Sequence, residues 1–223
     1  MKKITKYIPT IILTLLCSCS DYLDIVPDNV TTLDIVFNNR NTAERYLANC
    51  YHFVPDHGSV KRIPGMGAGH ECWFYTTNDS HFDNEVSFYI ARGLQNIDAP
   101  YANYWDGEGG SNLPMFRAIR ECNIFLDYVR DQHKVNDLTD SERKRWIAEV
   151  NVLKAYYHFF LFEHYGPIPI VDKALPVSTD PEGVKVTRMP VDQIVDYMVK
   201  LIDDSYKDLP PVITMEATEM GRL

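Results

Sequence analysis

Residues 139–169 read TDSERKRWIAEVNVLKAYYHFFLFEHYGPIP, and their pattern decides the fold class. Thr139 and Glu142 stand at capping-box spacing, where each side chain can satisfy a backbone N–H that the first helical turn leaves orphaned. Gly166 can take the left-handed conformation that closes a helix, and Pro167 cannot continue one. Between these signals Trp146, Val150, Leu153, Tyr157, Phe160 and His164 recur at steps of three or four, which puts them on one helical face. Ala148, Val152, Ala155, Phe159 and Phe162 form a second apolar stripe. At ~1.5 Å per residue the helix is about 37 Å long. A surface helix needs one buried stripe, so two stripes predict a helix in the middle of a helical layer with packing partners on both sides.

Shorter helices flank it. Asn41 to Val54 opens with Asn41 and Glu44 at capping spacing and puts Ala43, Leu47, Cys50, Tyr51 and Val54 on one face. Leu113 to Arg130 carries Met115, Ala118, Ile119, Cys122, Leu126 and Val129 on its apolar face, with Pro114 suited to the first turn. Pro190 to Leu209 is expected to turn Ile194, Val195, Met198, Leu201, Ile202 and Leu209 inward. Lys207 there complements the helix dipole, and Pro210-Pro211 is the stop. Helix, loop and helix with apolar faces on several sides follow the logic of a tetratricopeptide-like solenoid, although no clean ~34-residue period is present. The expectation is a mostly α chain with long irregular loops.

The first residues read as an address. Lys2, Lys3 and Lys6 form a basic start, and Ile8 to Leu16 is an apolar run too short to span a bilayer. Leu16-Cys17-Ser18-Cys19 follows, with Leu at −3 and a small residue before Cys19, which resembles a bacterial lipobox. Acyl chains on Cys19 would anchor the protein to a membrane that it does not cross. The leader, residues 1–18, holds three of the 22 basic residues and none of the 31 acidic ones, so the remainder is more acidic than the formal charge of −9. Such a chain is a poor partner for nucleic acid or for an anionic membrane surface. Cys50, Cys72 and Cys122 show neither CxxC nor finger spacing, and sequence leaves open whether any of them pair.

After Cys19 the chain runs Ser20-Asp21-Tyr22-Leu23-Asp24-Ile25-Val26-Pro27, a polar, proline-broken tether. A lipobox cysteine followed by Asp-Tyr-Leu-Asp and proline is similar to the mature start of the SusD/RagB family of nutrient-binding outer-membrane lipoproteins. Ala148-Glu149 through Lys154-Ala155-Tyr156-Tyr157 and the exit Tyr165-Gly166-Pro167-Ile168-Pro169 resemble that family's best-marked helix. Trp105 ahead of Ile119, Cys122-Asn123 and Leu126, and Arg188 to Pro211 followed by Gly221-Arg222, extend the resemblance over the mature chain. It implies a SusD-like N-terminal helical-repeat domain over residues 41–223, with 19–40 as tether and start of the domain. Family members are more than twice this length, so the chain resembles an N-terminal portion of one. The resemblance also implies a cell-surface protein of the outer membrane that captures an oligosaccharide or other nutrient and passes it to a SusC-type TonB-dependent transporter. Catalysis, cofactor and metal are not part of that expectation.

Cys72 to Asn112 is rich in aromatics and amides, and a long loop of that kind inside a compact domain is usually functional. Sugars present apolar C–H faces and polar edges, so a site for them needs aromatic faces beside amide hydrogen-bonders. Trp73, Tyr75 and Asn78 supply that mix within six positions, and in extended chain Trp73 and Tyr75 point to the same side. Their spacing is similar to the aromatic arc with adjacent Asn of the starch-binding family member. Trp105 with Asn103 is a second candidate, which its place beside a helix start assigns rather to packing. The rival reading is an extracytoplasmic glycoside hydrolase using two of Asp79, Asp83 and Glu85. A third is a helical-repeat scaffold that binds only protein. His70-Glu71-Cys72 and His81 with Asp83 lack metal-site spacing, and Gly65-Met66-Gly67-Ala68-Gly69 lacks the Lys-Ser/Thr ending of a phosphate loop.

Overall fold

The computed structural model describes residues 32–58, 64–69, 86–98, 100–107, 113–176 and 182–211. The chain divides into two compact units, Met1–Ile35 and Val36–Leu223. Helices run in the order α1 (Leu33–Val36), α2 (Arg40–Tyr51), α3 (Pro64–Gly67), α4 (Val86–Ala91), α5 (Met115–Arg130), α6 (Asp140–Tyr165) and α7 (Val191–Asp203). Single 3₁₀ turns lie at Glu182–Val184 and Tyr206–Asp208, and no strand occurs among the described residues. The fold is mostly α, as the sequence predicts.

Helix α6 forms because its ends are written as the sequence indicates. The Thr139 hydroxyl accepts the Glu142 N–H at 3.2 Å, while the Glu142 carboxylate accepts the Thr139 N–H at 3.3 Å. Gly166 follows with φ 67° and donates its N–H to the Phe162 carbonyl. Helix α6 packs on α2, α5 and α7, so it is the centre of the helical layer. Trp146, Val150, Leu153, Tyr157 and Phe160 are buried against that layer. Each such side chain contributes about 1.5–3 kcal/mol relative to leaving it in water. His164 departs from this face and is exposed, its ring packing on Tyr104 and Phe160.

The second stripe is only half covered. Ala148 and Ala155 are buried, Val152 and Phe162 are half-buried, and Phe159 is 49% exposed. Helix α7 buries Ile194 and Met198 and half-buries Leu201, whereas Val195 and Ile202, expected inward, are exposed. Between α6 and α7 lies an apolar groove of about 490 Å³, floored by Ala155 and Met198 and flanked by Phe159 and Ile202. Helix α7 also ends at Asp203, six residues before the expected Leu209, so the cation that complements its dipole is Lys200, paired with Asp204 at 2.6 Å.

Two other boundaries differ from the sequence reading. Helix α2 is capped by Asn39, whose side chain accepts the Thr42 N–H at 3.1 Å, rather than by Asn41. The reason is competition: Glu44 pairs with Arg40 at 2.9 Å, and Arg40 also reaches Glu142 at 2.9 Å, so Glu44 has another partner than an N-cap. Pro114 stands at the N-cap position of α5 itself, one residue before the first turn. The α5–α6 turn rests on buried Arg143, which donates to the carbonyls of Val129 at 2.6 Å, Lys134 at 3.1 Å and Val135 at 3.0 Å. One guanidinium thus satisfies a carbonyl that the end of α5 leaves without a helical partner and two more in the turn after it. Cys50 and Cys122 are both free and buried between α2 and α5.

Candidate functional site

The exit from α6 builds the site. After Gly166 the chain folds back along the helix it has just left, and polar side chains of α5 and α6 catch its backbone. Asn123 donates to the Val171 carbonyl at 3.0 Å, and Arg120 donates to the Leu175 carbonyl. Lys154, 1% exposed, donates to the Asp172 carbonyl at 3.0 Å and to its carboxylate at 2.8 Å. The Tyr197 hydroxyl of α7 reaches the same carboxylate oxygen at 2.8 Å. Met189 N–H pairs with the Ile168 carbonyl at 3.0 Å, which ties the start of α7 to the same strap.

His158 fixes its own protonation through this geometry. Its Nδ1 lies 2.7 Å from the Lys154 carbonyl and therefore carries the hydrogen, while Nε2 lies 3.4 Å from the Val171 N–H and accepts. That is the neutral imidazole. Burial pushes its pKa down to about 4. Burial likewise lowers the Lys154 ammonium, against the opposing pull of Asp172. Burial would raise the Asp172 carboxyl, but its bonds to Lys154 and Tyr197 outweigh it and hold the group below its ordinary value.

Held extended, the strap alternates its side chains. Ile168 is fully buried and Asp172 points to Lys154, whereas Pro169, Val171, Lys173 and Leu175 line a cavity of about 210 Å³ on the other side. Phe116 and Arg120 of α5, Trp105 and Val186 complete the lining. Trp105 is set by its neighbours: its ring meets Phe116 edge-on at 4.6 Å and Tyr165 at 5.4 Å, and the Arg188 guanidinium lies 5.2 Å from its centroid. Arg188 is itself held by the Pro167 carbonyl at 2.9 Å.

Of the residues singled out in the sequence, Trp73, Tyr75 and Asn78 lie outside the described residues, as do Cys19, Asp79, Asp83, Glu85, His70, Cys72 and His81. Trp105 is half-buried in packing, as the sequence reading assigned it, yet it also walls the cavity. Its companion Asn103 is buried, bonds Asp106 at 2.5 Å and accepts the Trp105 N–H at 3.1 Å, so it shapes the turn instead of facing a ligand. Sequence reasoning missed Phe116, Arg120, Val171 and Lys173. The alternation of positions 169, 171, 173 and 175 after a helix stop was the available signal. Among the described residues no cluster of three or more His, Cys, Asp or Glu could hold a metal ion. No helix among them is long and apolar enough to cross a membrane.

A family model described as "Starch-binding associating with outer membrane", of the SusD-like group, matches residues 21–218. No curated protein sequence matches. Solved structures share the fold. One is named a laminarin-binding SusD-like protein, with a TM-score of 0.59 and 17% identity, covering 80% of this chain and 36% of that one. Another is a SusD-like carbohydrate-binding protein from Bacteroides fragilis, with a TM-score of 0.58 and 21% identity, covering 84% of this chain and 35% of that one. A SusD-like protein from the same species matches 90% of this chain and 34% of its own, with a TM-score of 0.58 and 16% identity. The chain thus spans about a third of the length of these relatives.

Proposed function

The chain belongs to the SusD-like family, and from that membership we propose that it is a carbohydrate-binding lipoprotein of the cell surface. In this reading it captures an oligosaccharide and passes it to a SusC-type TonB-dependent transporter in the outer membrane, without chemistry of its own. The family match over most of the chain carries the reading, because its description joins starch binding to the outer membrane. Leu16-Cys17-Ser18-Cys19 supports it by offering Cys19 for lipidation after removal of residues 1–18. The laminarin-binding relative supports a glycan as the ligand class. Trp73, Tyr75 and Asn78 remain the proposed contact in the aromatic loop, for the chemical reason given above.

The test is calorimetric titration with laminari- and malto-oligosaccharides, followed by chromatography of the recovered sugars. Saturable binding with sugars returned at their original length is the expected result. Shortened products would establish a hydrolase instead. Silence towards every glycan, with the transporter co-purifying, would establish a protein-binding scaffold. Mass spectrometry of membrane-extracted protein should find diacylglycerol on Cys19, and a mature N-terminus at any other residue would remove the anchor.

A further inference from the structure

The cavity beside Trp105 has an unusual polar complement. Trp105, Phe116 and Val171 give it apolar walls, and its charged lining side chains are Arg120 and Lys173. Both are hydrogen-bond donors with no acceptor capacity. Arg120 spends one guanidinium nitrogen on the Leu175 carbonyl, which holds its head in place and leaves further N–H groups for another acceptor. Lys173 is exposed and makes no hydrogen bond or ion pair among the described residues. Carboxylates adjacent in sequence to the lining are turned elsewhere. Asp172 goes to Lys154 and Tyr197, Asp106 to Asn103, and Glu121 to Tyr46 at 2.5 Å. Among the described residues, two cations unopposed by an acid thus share one concave apolar site, in a chain whose formal charge is −9.

A neutral sugar hydroxyl both donates and accepts, and lining side chains that only donate would leave its hydrogen without a partner. A carboxylate or sulfate only accepts, and its bonds to guanidinium and ammonium are charge-assisted. The apolar C–H face of a pyranose suits the aromatic wall. The cavity of about 210 Å³ is smaller than a drug-sized pocket, so it suits one ring rather than an oligosaccharide. Val186, 44% exposed, marks the open side through which the rest of a glycan chain would leave.

We propose that this cavity is a subsite for an anionic sugar, a pyranose bearing a carboxylate or a sulfate ester, with Trp105 and Phe116 as wall and Arg120 and Lys173 as anion donors. The proposal rests on the carbohydrate-binding reading above and adds to it a ligand class and contact residues other than Trp73, Tyr75 and Asn78.

The test titrates the full chain with an oligogalacturonate, with its carboxyl-reduced neutral counterpart, and with a sulfated galactan oligosaccharide. The acidic oligomer should bind at least about ten-fold more tightly than the reduced one, the usual worth of a charge-assisted bond. Lys173→Gln should remove about ten-fold of that affinity, and Val186→Trp, which fills the open side, should remove binding at this site. Added salt should weaken the wild type more than Lys173→Gln, because the ion pair is open to screening. The sulfated arm decides which anion the donors prefer. Equal affinity for acidic and reduced oligomers, or unchanged acidic affinity in both variants, overturns the subsite while leaving the carbohydrate reading intact. No binding of any glycan in any arm overturns both. Both substituted residues are exposed, so unchanged melting temperatures are expected and separate lost binding from lost folding.

Discussion

The two faces of α6 carry similar side chains and meet different fates. On one, Trp146, Val150, Tyr157 and Phe160 are 0–2% exposed, closed in by α2 and α5. On the other, Phe159 is 49% exposed and a groove of about 490 Å³ runs between α6 and α7. Hydrophobic periodicity records which residues benefit from cover. Whether cover is present depends on what the rest of the chain brings to that face. The closed face should therefore behave as core under mutation, and the open face as surface.

The largest contrast should come from Tyr157. Tyr157→Ala would leave a cavity and strand the Cys50 carbonyl that the phenol now satisfies. The expected loss is about 3–5 kcal/mol, read from urea denaturation. A loss below about 1 kcal/mol would show the closed face to be loosely packed.

Next comes a pH dependence where α6 meets the strap and α7. His158 is buried neutral with its pKa depressed from 6.5 to about 4. Below the higher value the unfolded chain takes up a proton that the folded chain refuses, so stability falls as pH drops from about 6.5 to about 4. The full effect is about 3 kcal/mol. Asp172, held below its ordinary value, adds a loss of the same sign at lower pH. Denaturation midpoints at pH 7 and pH 5 should converge in His158→Gln relative to wild type. Parallel slopes would mean that another group carries the acid sensitivity.

A smaller effect is expected at the helix start. Thr139→Ala removes half of the capping box and should cost about 1 kcal/mol, measurable as a lowered melting temperature. The smallest belongs to the open face. Phe159→Ser should change stability by no more than about 0.5 kcal/mol. A drop comparable with that of Tyr157→Ala would show Phe159 to be covered in solution and would erase the contrast.

The comparison also explains which parts of the chain could be read in advance. Both caps of α6 and the buried face of α5 were legible because each depends on residues within one or two turns. The Asn39 cap was not legible because Arg40 pairs with Glu44 and reaches Glu142 across 102 residues of chain. The inward set of α7 holds only in part: its apolar residues have the right period, and Ile194, Met198 and half-buried Leu201 meet the core, but Val195 and Ile202 stay exposed. The cavity was illegible for a related reason. Trp105, Phe116, Lys173 and Val186 come from four separate stretches, and no local pattern links them.

By itself the sequence determined the four longer helices α2, α5, α6 and α7, both ends of α6 and the acidic balance, together with the lipobox-like start and the family resemblance; the short helices α1, α3 and α4 were not in it. These rest on local hydrogen bonding, side-chain period and composition, which act over a few residues. Only the tertiary structure decided which apolar stripe is covered, that Lys154, His158 and Arg143 are buried, and that the strap after Gly166 turns its odd-numbered residues to a cationic cavity. Those outcomes depend on backbone carbonyls brought to distant side chains: Val171 to Asn123, Asp172 to Lys154, Leu175 to Arg120. A buried cation is stable only where such acceptors converge, and that convergence is a property of the packed chain.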